Sequence, residues 1–143
     1  MSIGFRALVC SSVIFVAATT AALAQTQTPS PQGAAVYFIN LKDGDTVTSP
    51  FKVQFGLTGM GIAPVGVQNE RTGHHHLLID TKLEDYDAPI PADAQHLHFG
   101  KAQTEATIEL APGKHTLQDV FADKNHIPHE PPVQSDPITI TVE

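Results

Sequence analysis

The sequence predicts an all-β domain, an immunoglobulin-like sandwich of about seven short strands, and three observations carry that prediction. Apolar residues recur with a period of two in several separate stretches. Turn-forming residues punctuate those stretches, and no segment of useful length has the period of an amphipathic helix. Seven strands in about 110 residues suit an open sandwich better than a closed barrel. With no tryptophan, and its one cysteine at position 10, the chain shares only the architecture of antibody domains.

Residues 1–24 read as a signal peptide. Arg6 precedes the apolar run Ala7–Ala18, and Ala22-Leu23-Ala24 supplies the small-x-small pattern of a signal-peptidase site. Cleavage there would make Gln25 the mature N-terminus and place the protein in the periplasm or outside the cell. The apolar run falls short of the roughly 20 residues that span a bilayer, and no later stretch approaches that length, so no membrane span is expected. Cys10 belongs to the discarded segment. A mature chain without cysteine excludes disulfides and suits a bacterial envelope domain held together by apolar burial. Residues 25–33 are polar and broken by prolines, which predicts a disordered tether before a single domain over 34–143.

Each strand has its own signature. Ala35–Leu41 is apolar almost throughout, and Lys42-Asp43-Gly44-Asp45 turns the chain after it. Phe51, Val53, Phe55 and Leu57 alternate with Lys52, Gln54, Gly56 and Thr58, the pattern of a strand with one buried face. Gly73–Asp80 and Gln95–Gly100 are the histidine-bearing strands. Ala106, Ile108 and Leu110 share a side, and Ala111-Pro112-Gly113-Lys114 is short enough to form a hairpin into His115–Asp123. Ile138, Ile140 and Val142 alternate with threonines at the end. Asp119 interrupts the apolar pattern of its strand, so either a bulge occurs there or the carboxylate is buried with a partner.

Composition narrows the function classes. Fifteen acids against eight bases give a formal net charge of −7, which argues against nucleic acid and anionic membranes as partners. The mature chain has no cysteine nucleophile, no Gly-x-Ser-x-Gly elbow and no phosphate-cradling glycine loop. Glu84, Asp85, Asp87 and Asp93 lack the spacing of a calcium loop.

All eight histidines fall between residues 74 and 129. Imidazole is the side chain most used for late transition metals, so this crowding points to metal capture or proton sensing. Alternate side chains of a strand share a face, which projects His74 with His76 and His96 with His98, each pair with Cα atoms about 6.5–7 Å apart. On neighbouring strands the two pairs would make a four-imidazole patch. His126 and His129, in the proline-rich loop His126–Pro132, are possible additional ligands. His75 shares its face with Leu77 and Ile79 and reads as a core histidine bonded to a carbonyl. His115 opens a strand, where a structural hydrogen bond and a metal bond are both open. Met60 is the only methionine after the signal peptide, which argues against a thioether copper(I) site and leaves copper(II), zinc or nickel.

Four segments in order, Gly73–Asp80, His96–Lys101, Pro112–Gln118 and the run ADKNHIPHEPPV ending at Val133, resemble a bacterial family called domain of unknown function 4399. The resemblance covers roughly residues 50–143. It implies a small exported bacterial protein and carries no activity with it. Two positions depart from its pattern: Ala102 stands where a glycine is expected, and Asp119 where an apolar residue would continue the strand. The function expected from the residues is binding of a divalent transition metal, copper or zinc, by His74, His76, His96 and His98, with His126 or His129. The opposing expectation is a non-enzymatic interaction module whose structural or pH-responsive histidines meet an envelope protein partner. A metalloenzyme is third: His96-x-His98 with Glu105 and His115 has the ligand types of a small cupin, and paired histidines also serve copper–zinc dismutases, but the spacing fits neither. Binding rather than turnover is therefore expected.

Overall fold

The computed structural model describes residues 26–143; the expected signal peptide, residues 1–24, lies outside them together with Gln25. The described chain holds ten strands and no helix: β1 (Ala35–Phe38), β2 (Thr46–Val47), β3 (Phe51–Thr58), β4 (Gly61–Ile62), β5 (Thr72–Ile79), β6 (His96–His98), β7 (Glu105–Ile108), β8 (Gly113–Ala122), β9 (Pro128–Gln134) and β10 (Ile138–Val142). Seven of these, β1, β3, β5, β6, β7, β8 and β10, are the strands the alternating pattern predicts. The two-residue β2 and β4 have too short a pattern to read.

Two sheets pack into the expected all-β sandwich. One runs β1-β3-β7, antiparallel throughout. The larger runs β2-β10-β8-β5-β4, with β6 also against β5 and β9 also against β8. Phe51, Val53 and Phe55 of β3 meet Leu77 and Ile79 of β5, Leu117 of β8 and Ile140 and Val142 of β10, with Phe99 and Ile108, in the core between the sheets. The period-two pattern of β3 thus serves its purpose: the odd positions enter the core and Lys52 stays in solvent.

The outer face of the larger sheet is covered too. The chain between β5 and β6 folds back over it, so that Leu83, Ile90 and Tyr86 pack on Leu78, Val120 and Ala122. β5 is consequently buried on both faces from Gly73 to Ile79. His74, His76 and Leu78 point to this outer face, and His75, Leu77 and Ile79 point between the sheets.

Three expectations are corrected. The turn Ala111–Lys114 closes no hairpin, because β7 pairs with β3 in one sheet whereas β8 pairs with β10 and β5 in the other. Ile108 and Leu117 both enter the central core, so the two strands face each other across it. The proline-rich loop is in part a strand: β9 pairs with β8 at the sheet's margin, with a register shift between Phe121 and Ala122 where its prolines can sit without donating to the ladder. Residues 26–33, expected as a tether, lie against the domain, where Ser30 N–H donates to Glu130 O and Glu130 N–H to Thr28 O.

Asp119 takes the second of its two options. The β5–β8 ladder runs unshifted from His74↔Ala122 to Ile79↔Leu117, and Asp119 points into the core. Its Oδ2 lies 2.8 Å from His75 Nδ1, and both side chains are fully buried. His75 is thus the expected core histidine, bonded to a carboxylate instead of a carbonyl and stacked on Phe55 at 4.8 Å. Burial pushes the Asp119 carboxyl above the usual carboxylate range, against the pull of His75. At Ala102 the backbone has φ 64°, the left-handed region that glycine enters without strain, which accounts for the glycine expected there.

Candidate metal centre

Antiparallel pairing of β5 and β6 decides which imidazoles meet. His76 lies opposite His98, Leu77 opposite Leu97 and Leu78 opposite His96. Beyond His98 the chain reaches Gly100 near the level of His74, and the ring of His98 lies over that glycine: a Cβ there would overlap it. The fourth member comes from the turn between β8 and β9, where His126, at φ 67°, points its ring at the same place.

Among the described residues, one group has the geometry to hold a metal: His74, His76, His98 and His126, with one ligand nitrogen from each lying within 4.8 Å of the others. His74 Nε2 is 3.1 Å from His76 Nε2, 3.1 Å from His98 Nε2 and 3.3 Å from His126 Nδ1. Nitrogens bound tetrahedrally to zinc at about 2.0–2.1 Å stand about 3.3–3.4 Å apart. A neutral imidazole has one N–H and one lone pair. Three nitrogens around one therefore cannot all be hydrogen-bonded to it, and at most one of the contacts is a well-directed hydrogen bond. A cation at their centre removes that conflict.

The electrostatics suit lone pairs. Burial, followed by repulsion from His98 and His126, lowers the pKa of His74 to about 4, although the Asp123 carboxylate works in the other direction. Burial, then His74, His98 and His126, lowers that of His76 to about 2. His98 is lowered by burial and by His126. Neutral imidazoles are what a metal requires. Against this stands a cost: the Nδ1 atoms of His74 and His76 are buried with no hydrogen-bond partner among the described residues, where metal-bound imidazoles commonly donate to a carbonyl or carboxylate.

The turn that carries His126 is fixed by one carboxylate. Asp123 Oδ1 accepts the N–H groups of Asn125 at 2.8 Å and Ile127 at 3.1 Å. His126 N–H donates to Asp123 O, and Ile90 N–H to His126 O. Such redundancy is what holds a non-glycine residue at positive φ.

Two expected ligands stand apart from this group. His96 shares a strand face with His98, but its register partner is Leu78, one step further from His74; its Nδ1 bonds Asp93 at 2.8 Å. It lines a surface cavity of about 340 Å³ with Thr81, Lys82 and Glu84. His129 lies in β9, with Nδ1 3.2 Å from Thr28 O and its ring stacked on Phe121. His115 makes structural bonds, to Asp80 at 2.7 Å and Ala111 O at 2.9 Å. Asp123, Gly100 and Asp119 were not singled out as parts of a site by sequence reasoning, and only the turn-forming Asp and Asn of Asp123-Lys124-Asn125 are a signal that points to the first.

A family model described as a domain of unknown function (DUF4399) matches residues 53–143, which include all four convergent histidines. No curated protein and no solved structure matches the chain.

Proposed function

The chain belongs to the DUF4399 family, whose description assigns no activity, and we propose that the protein is exported and binds one divalent transition metal, zinc or copper, through His74, His76, His98 and His126. The convergence of four imidazole nitrogens within 4.8 Å, three of their separations close to the edge of a zinc tetrahedron, supports this reading. Borderline metals accept such a set, whereas calcium and magnesium require oxygen. Four protein ligands fill a tetrahedral shell, which fits holding and handing over a metal better than activating a water. All four ligands are neutral, so the bound ion keeps its charge, and the buried Asp123 carboxylate beside His74 offsets it.

Titrating metal-free protein with zinc and with copper(II), followed by calorimetry, tests the proposal. One equivalent should bind tightly at pH 7.5. At pH 5.5 binding should weaken less than at a site of ordinary imidazoles, because burial and the neighbouring histidines lower the pKa of His74 to about 4 and of His76 to about 2, and burial lowers that of His98 as well. The apo fold should show the matching linkage. A histidine whose pKa is depressed on folding takes up a proton on unfolding below about 6.5, so stability should fall as pH drops from about 6.5 towards 4 and metal should restore it. If neither metal binds, the cluster is structural and the envelope interaction module is the better account. Export is checked separately, by an intact mass that begins at Gln25 in the envelope fraction of the host.

A further inference from the structure

The described chain begins with a segment that lies against β9 and reaches the turn presenting the fourth ligand. Gln27 Nε2 donates to Tyr86 O at 2.8 Å and to Pro128 O at 3.3 Å, and Ser30 Oγ donates to Pro131 O at 2.7 Å. Between them the Thr28 hydroxyl donates to Asp123 Oδ2 at 2.6 Å. Asp123 is 3% exposed, and its other oxygen accepts the two N–H groups that shape the His126 turn. We propose that Gln27–Ser30 is a positioning strap for the metal centre: Thr28 holds Asp123, and Asp123 holds the strained turn that presents His126. The inference rests on the metal-binding reading and adds to it a residue far from the ion, together with a direction of coupling.

The physical case is one of pre-organisation. His74 and His76 stand on β5, held by β8 on one side, and His98 stands on β6, laddered to β5, whereas His126 stands on a turn with φ 67°, a conformation that persists only while its surroundings enforce it. Freeing Asp123 Oδ2 leaves that carboxylate able to rotate away from Asn125 and Ile127. The turn then spends part of its time with His126 elsewhere, and affinity falls by the fraction lost. Coupling is reciprocal, so a metal held by His126 must tighten the strap by the same factor that the strap tightens the metal.

Zinc affinity of the full chain, measured by chelator competition, tests this with three variants. Thr28→Val should weaken binding roughly tenfold, in the range for residues that support a metal ligand. Thr28→Ser, which restores the hydroxyl, should bind within about twofold of wild type. In a His126→Ala background Thr28→Val should have no further effect, which a general loss of stability would not produce. Hydrogen exchange gives an independent measure: zinc should slow exchange at the amides of Ser30 and Glu130 in wild type and leave them unchanged in His126→Ala. Thr28→Val binding as tightly as wild type, or losing equally in both backgrounds, overturns the strap while leaving the metal site intact. Failure of wild type itself to bind zinc overturns both.

Discussion

His98→Ala is expected to weaken zinc binding by about 100-fold or more, about 2.7 kcal/mol, while His96→Ala leaves it within about twofold. The two residues are separated by one position on one strand and present the same face. Their roles differ because the ladder sets His98 opposite His76 and His96 opposite Leu78. His98 is only partly buried, so its loss should leave the apo domain folded and its melting temperature nearly unchanged. His96 is bonded to Asp93 at the surface, and its removal should cost little of either property. Equal losses from the two variants would show that the pair acts together and that the register-based assignment is wrong.

Asp119→Ala, on β8 beside the core face of β5, is expected to be the most damaging single change away from the four histidines. It strands His75 in the core with neither ring nitrogen bonded, since Nε2 already lacks a partner, and should cost about 3 kcal/mol, on the order of 10 °C in melting temperature. Replacing both members, as in His75→Leu with Asp119→Val, should cost less than the single change, because no polar group is then left buried. Zinc affinity of the folded fraction should be preserved in either case, as His75 points away from the other histidines of its strand. A thermal melt and a zinc titration on the same samples separate the two effects. A single variant as stable as wild type would mean that the buried pair contributes nothing to the fold.

These residues also mark what could be read from the chain alone. The period of two located seven strands, because each strand must bury one face and a sheet offers only two sides. The same rule placed His74 with His76 and His75 with the core. Register was out of reach: sixteen residues of irregular chain separate Ile79 from His96, and no short turn fixes which residue meets which. His96 was therefore grouped with His98, whereas the ladder brings only His98 beside His74 and His76. His126 was seen as a candidate and His129 with it, but the division between them depends on the register shift beside Ala122 and on the turn that Asp123 organises. Both are properties of contacts between segments, as is the crossing of Ala111–Lys114 from one sheet to the other.

The burial of the four imidazoles is graded, and the gradient sets a route. His74 and His76 lie under the sheet's outer cover, whereas His98 and His126 are half-open to solvent. An ion bound as proposed would have no exit past the first two, so it would leave by shedding the outer pair, and a free ion seldom loses two bonds at once. Departure would be fastest when an incoming donor replaces His126 and then His98 in turn, each bond forming as another breaks. Residence time would then be set less by affinity than by who arrives at that open side: long in water, short against an acceptor carrying two ligands of its own.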